Sequence, residues 1–274
     1  MSYLGSDISY FILYHIARYR RKVVRENLVQ SFPEKSTQEI KKIEKRFYHN
    51  FCDLIAETLR LRRMKTSEVV QHVTVTNPEL LEELYLKGKS VFLAMHHSSN
   101  WEWLWNILHT VSSHRHFAVY KKLESQYFDR LVFKLRTGFA NGEEVMIEDR
   151  AVKDVLGRIN DSTNAVLILG DQSPRGADTD YWTEFLHRDT CWYVGLEKLA
   201  KKYDYAVVYV EMIRMKRGFY HVTFRLICED PKTMADGVIL EQYVRHVERF
   251  IQNNPDNWLW SHRRWKHTRQ NKAS

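Results

Sequence analysis

Cysteine is scarce in this sequence: Cys52, Cys191 and Cys228 are the only three in 274 residues. They stand far apart, in no paired motif, which excludes a disulfide framework and any site built on cysteine pairs at metal-ligand spacing. An odd, sparse count fits a reducing compartment. Proline and glycine are few as well, five and ten. No Pro/Gly/Ser-rich linker, low-complexity tract or fixed-period repeat divides the chain, so one large domain is expected. No glycine-rich phosphate loop, helix-turn-helix signal or aromatic RNA-binding motif is present, which leaves a basic nucleic-acid-binding protein the less favoured reading. With 44% hydrophobic and 28% charged residues the chain has enough apolar material for a packed core, and disorder is not the expectation.

Two things are abundant. Net charge is +8, and 13% of residues are aromatic, with eight Trp and fifteen Tyr. A basic surface suits an anionic partner, whether nucleic acid, an acidic carrier protein or anionic lipid headgroups; a solvated surface with no specific ligand fits equally. At the N-terminus an apolar, aromatic-rich run from Ile8 to Ala17 precedes Arg18-Tyr-Arg-Arg-Lys22. It is well short of the roughly 20 residues a spanning helix needs, and it lacks the basic start and small-residue cleavage site of a secretory signal. Two readings remain: an interfacial helix with arginines on lipid phosphates, or an ordinary amphipathic helix packed on the domain.

Ser36-Thr-Gln-Glu39 has the form of a capping box, and apolar residues at Ile40, Ile43, Phe47, Phe51, Leu54 and Ile55 follow at helical spacing to about Leu61. From residue 90 the pattern alternates. Strands are expected at Ser90–Met95, His116–Tyr120, Glu144–Ile147, Asn164–Leu169, Ala206–Val210 and Tyr220–Ile227. Helices are expected at Trp101–Val111, Tyr127–Leu135, Ala151–Ile159, Gly195–Lys202 and Gly237–Asn253. This order predicts an α/β fold: a largely parallel central sheet flanked by helices, with a C-terminal hairpin turning at Lys216–Gly218 and N-terminal membrane-associated helices.

In open α/β sheets ligands bind beyond the C-terminal strand ends. Two polar segments fall there: His96 to Glu102 after the first strand, and Asp171-Gln-Ser-Pro-Arg175 after the strand ending at Leu169. His97 and Glu102 have the spacing for a hydroxyl-activating pair, in which imidazole takes a proton and a carboxylate on its other nitrogen fixes the tautomer. With 13 His and 34 Asp+Glu in the chain, chance alone supplies roughly one or two such spacings, and there is one. The plainer alternative is that His96 and His97 are loop residues and Glu102 a first-turn carboxylate. Arg175 suits an oxyanion or phosphate, or is a surface residue; Lys121 and Lys122 on the same rim also suit phosphate. Near the C-terminus, Trp258-Leu-Trp-Ser-His-Arg-Arg-Trp265 suits base stacking, a bilayer surface or closure of the core.

Together, several segments resemble the bacterial lipid A biosynthesis acyltransferases, the late lauroyl/myristoyl group within the glycerolipid acyltransferases that share a His-x4-Asp/Glu motif. They are Tyr19-Arg-Arg-Lys-Val-Val-Arg-Glu-Asn-Leu28 with Ser31-Phe-Pro33, His97-Ser-Ser-Asn-Trp-Glu102, Val119-Tyr-Lys121, Asp171-Gln172 with Pro174, and Trp258 to Trp265. The resemblance covers nearly the whole chain. It implies transfer of a fatty acyl chain from an acyl carrier protein thioester to a hydroxyl of a lipid A precursor, or to another glycolipid or aminolipid. It implies no cofactor, no metal and no nucleic acid, membrane lipids as surroundings, and a place at the cytoplasmic face of the bacterial inner membrane, peripheral or N-terminally anchored. Residues 1–35 become a membrane-associated segment and residues 36–274 the acyltransferase domain. By the same resemblance His97 is the base and Glu102 its orienting partner, while Asn100, Lys121, Asp171, Gln172 and Arg175 are substrate contacts. The sequence departs from the family at its N-terminus, where the usual apolar anchor is longer.

Overall fold

The structure, a computed structural model, describes residues 3–122, 125–137, 145–148, 152–159, 163–174 and 181–269. The chain opens with α1 (Leu4–Tyr10), a π-helical turn (Phe11–Ile16), α2 (Arg21–Ser31) and the long α3 (Thr37–Arg60). Then come α4 (Thr66–Val70), β1 (Val73–Val75), α5 (Glu79–Leu86), β2 (Val91–Met95), α6 (Trp101–Ile107), β3 (Arg115–Tyr120), α7 (Gln126–Thr137), β4 (Val145–Glu148) and α8 (Val152–Arg158). The last part holds β5 (Asn164–Leu169), β6 (Tyr181–Phe185), β7 (Arg188–Trp192), α9 (Gly195–Tyr203), β8 (Ala206–Lys216), β9 (Phe219–Cys228) and α10 (Val238–Asn253).

Seven strands form one sheet in the order β1-β9-β8-β2-β5-β3-β4, parallel except for the antiparallel β8–β9 pair, which turns at Arg217 and Gly218. Gly218 has φ +75°, a conformation that costs glycine little. The strands β2 and β5 at the centre are continuous apolar runs because helices cover both faces. One apolar cluster holds Phe92, Val166, Val207 and the inner side of α10, and a second holds Leu93, Leu167, Val208 and the inner side of α6.

The α3 start has the capping box that the sequence predicts: Ser36 Oγ accepts from Glu39 N while the Glu39 carboxylate accepts from Ser36 N. Three features carry weak sequence signals. β1 is three residues long and exists by pairing with β9, and β6 and β7 form a separate two-stranded sheet. The strand predicted to end at Val210 continues to Lys216, because β9 supplies partners along its whole length. Among the described residues no helix is long and apolar enough to cross a membrane.

Candidate active site

The site forms where β2 and β5 end. Their register pairs Met95 with Leu169, so His97 and Asp171 each lie two residues past the last paired position, on one rim. The ladder is extended by Gly170 N donating to Met95 O at 3.2 Å. Tyr243 of α10 braces both strand ends, donating to Met95 O at 2.7 Å and accepting from Gly170 N at 3.2 Å. A Cβ on residue 170 would stand 3.3 Å from the Tyr243 ring, which accounts for glycine there.

His97 Nδ1 is 2.6 Å from Asp171 Oδ1, and His97 N donates to Asp171 Oδ2 at 3.1 Å. Trp258 Nε1 donates to the same Oδ2 at 2.7 Å, so the buried carboxylate receives three hydrogen bonds. Burial acts to raise the Asp171 carboxyl, but charge on His97 and its hydrogen bond outweigh this. Together with His96 and the Trp258 N–H they hold it far below the ordinary carboxylate range. With Nδ1–H committed to Asp171, Nε2 carries the lone pair. Gln172 Nε2 sits 3.3 Å from it, and the Trp101 ring packs edge-on at 5.3 Å.

The pair expected from spacing is therefore not the pair the structure forms. Glu102 lies in the first turn of α6, where its side chain turns toward α7 and meets Arg136 through two contacts, Nε–Oε2 at 2.9 Å and Nη2–Oε1 at 2.5 Å. Trp101 Nε1 donates to Glu102 Oε1 at 3.0 Å. The bidentate fork occupies both carboxylate oxygens, and the carboxylate at His97 is Asp171. No sequence signal singles out Arg136, since the contact depends on how α6 and α7 pack.

Asn100, expected among the substrate contacts, is fully buried and used at both ends. Its Oδ1 caps α6 by accepting from Trp103 N at 3.1 Å, and its Nδ2 donates to Glu57 at 2.7 Å. Glu57 also receives Tyr220 Oη at 2.5 Å and Tyr3 Oη at 2.8 Å, and burial raises its carboxyl. Gln172 is at the imidazole; Lys121 is exposed at the end of β3; Arg175 lies outside the described residues. The role of Trp258 as donor to Asp171 went unread, although its aromatic-rich segment stood out. That segment is stitched to the His97 loop by Leu259 N donating to His97 O at 3.0 Å and Ser99 N donating to Asn257 O at 3.1 Å. Ser99 takes φ +54° to make this join.

Beside the imidazole opens a narrow cleft, walled by Phe47, Asn50, Phe51 and Leu54 of α3, by Trp101, by Arg214 and Tyr220, and by Asp256 to Leu259. An imidazole whose Nε2 lone pair takes a long, 3.3 Å contact from the Gln172 amide can exchange that contact for a bound hydroxyl and take its proton. Among the described residues no cluster of His, Cys, Asp and Glu could hold a metal.

No curated protein matches the chain. A family model described as bacterial lipid A biosynthesis acyltransferase matches residues 2–267, nearly its whole length. The chain accordingly belongs to the bacterial lipid A biosynthesis acyltransferase family.

Proposed function

We propose that this acyltransferase moves a fatty acyl chain from an acyl carrier protein thioester to a hydroxyl of a Kdo-bearing lipid A precursor, with His97 as the base and Asp171 as its orienting carboxylate. The observation that carries the reading is the 2.6 Å contact between His97 Nδ1 and Asp171, which leaves the lone pair on Nε2, where an incoming hydroxyl displaces the Gln172 amide that stands 3.3 Å away. His97 Nε2 takes the hydroxyl proton as the oxygen attacks the thioester carbonyl. The tetrahedral intermediate then expels the thiolate, which takes that proton back from the imidazolium. The C–S bond is exchanged for a C–O ester bond, and the carrier leaves as a free thiol. Asp171 stabilises the transient imidazolium. A net charge of +8 suits an acidic carrier and a phosphorylated lipid.

The same reading puts the enzyme at the cytoplasmic face of the inner membrane. Leu4, Ile8, Phe11, Ile12 and Ile16 are between 45 and 68% exposed and recur at helical spacing, while Ser6 and Tyr14 on the other side are buried. A helix packed only for the domain would turn polar residues outward; this one turns an apolar stripe outward beside Arg18 and Arg20, as interfacial helices do. The reading is tested by mixing the purified protein with acyl carrier protein thioester and lipid A precursor and weighing the lipid by mass spectrometry. Gain of one acyl chain is expected, and H97A should slow it by about 10²–10⁴. Transfer at an unchanged rate in H97A would sink the assignment.

A further inference from the structure

The cleft beside His97 has a cation on its wall. Among the described residues lining it, Arg214 near the end of β8 is the only Lys or Arg, and its side chain is 12% exposed. Arg214 is aimed by two partners on α3: Nη2 lies 2.6 Å from Asp53 Oδ2, and Nη1 bonds Asn50 Oδ1. Asn50 itself lines the cleft and is held by donating to Asp256 O at 3.0 Å.

The Asp53 carboxylate is not Arg214's alone. Arg217 grips it through Nε at 3.0 and 2.9 Å and through Nη2 at 2.7 Å, and Ser6 Oγ donates to it. Arg217 reaches outward to the half-exposed Asp7, at 2.5 Å, where solvent screens the contact. Two guanidinium groups thus share one buried carboxylate, and the one turned toward the cleft is incompletely balanced. Glu57 nearby is taken up by three neutral donors, Asn100 Nδ2, Tyr220 Oη and Tyr3 Oη. Asp256 also lines the cleft; its Oδ1 accepts from Asn257 Nδ2 at 3.2 Å. A structural ion pair for Asp53 was already complete with Arg217, so a second guanidinium on the wall of the cleft beside the base calls for an anion.

We propose that Arg214 is the phosphate-binding residue of this cleft, engaging a phosphate ester on one of the two substrates while His97 works at the reacting hydroxyl. The proposal rests on the acyl-transfer reading. Its chemistry is a guanidinium fork on phosphate oxygens, and two sources carry that chemistry: the acceptor's sugar phosphates and the phosphodiester of the carrier's pantetheine arm.

Steady-state kinetics separate them. The unaltered protein, R214Q, R214K and R217Q are each assayed with phosphorylated and enzymatically dephosphorylated acceptor, and with carrier thioester and the phosphate-free acyl-pantetheine thioester. R214Q should raise KM about tenfold for the phosphate-bearing form of one substrate, change kcat much less, and erase the preference for that form. R214K should fall between. R217Q shares Asp53 but does not line the cleft, so it should leave the preference ratio intact. Loss on the acceptor arm assigns the lipid phosphate; loss on the donor arm assigns the carrier. Equal loss with phosphorylated and phosphate-free forms, or the same loss of preference in R217Q, overturns the proposal. If R214Q folds poorly by thermal melt, R214K against R217Q carries the same comparison. No transfer by the unaltered protein would overturn the acyl-transfer reading and the phosphate assignment with it, whereas transfer with unchanged discrimination removes only the latter.

Discussion

At the scale of single residues, two carboxylates compete for the role of partner to His97. Asp171 is buried and touches both the imidazole and the backbone N–H of His97; Glu102 is locked in a fork with Arg136. Exchanging each for its amide separates the roles. D171N should lower kcat by about 10²–10⁴ with little change in KM, since the amide favours the wrong tautomer and leaves the imidazolium unsupported. E102Q should act on the packing of α6 against α7, costing about 1–3 kcal/mol of stability with a smaller effect on kcat. Both are read by steady-state kinetics beside thermal melts. A folded E102Q slower than D171N would return the pairing to Glu102. The His-x4-Glu spacing was legible in the sequence, as was a polar loop after each of two strands. The contact between those loops was not, because it depends on β2 and β5 being neighbours in matched register.

At the scale of elements, the C-terminal segment after α10 lines the cleft beside His97. Trp258 packs against Trp260 at 4.7 Å and reaches Asp171 with its N–H. W258F keeps most of the apolar surface and removes that donor, so kcat should fall about tenfold, the effect of losing one hydrogen bond to a charged group; an unchanged kcat would make Trp258 packing alone. The segment's aromatic-basic composition stood out in the sequence, but base stacking, bilayer contact and core closure all fitted it, and only the fold turns Trp258 toward Asp171. The N-terminal helix, α1 with the π-helical turn Phe11–Ile16 that continues it, is the second such element. Its outer stripe should bind anionic vesicles, and F11D/I12D should weaken flotation with them at least about tenfold. Equal flotation would show that another surface holds the membrane. The apolar residues of this helix were visible in the sequence; which of them point outward was not.

At the scale of the whole molecule, covering both faces of the sheet buries imidazoles as well as aliphatic side chains. Burial pushes His96 down to about 4, His262 to about 4 and His116 to about 3. Each is neutral in the folded protein and free to bind a proton in the unfolded chain near its usual 6.5. Between those values the unfolded chain binds more protons, so stability falls as pH drops from about 6.5 toward 4. A tenfold change in proton affinity is worth ~1.4 kcal/mol, and three such sites add up to several. Below the ordinary carboxylate range protonation of Asp171 adds a further loss in the same direction. Urea unfolding followed by circular dichroism at pH 7, 5.5 and 4 should show the midpoint falling at each step; a flat profile would mean that these imidazoles are hydrated.

The sequence by itself determined the alternation of strands and helices, the cap at Ser36, the polar segments at two strand ends and the family's motifs. Each is written in residues close together along the chain, where hydrophobic period and capping chemistry act. The tertiary structure alone decided that His97 takes Asp171, 74 residues away, that Glu102 takes Arg136, and that Arg214 faces the cleft. Those pairings depend on sheet order and on the angle at which helices pack, and local spacing carries no record of either.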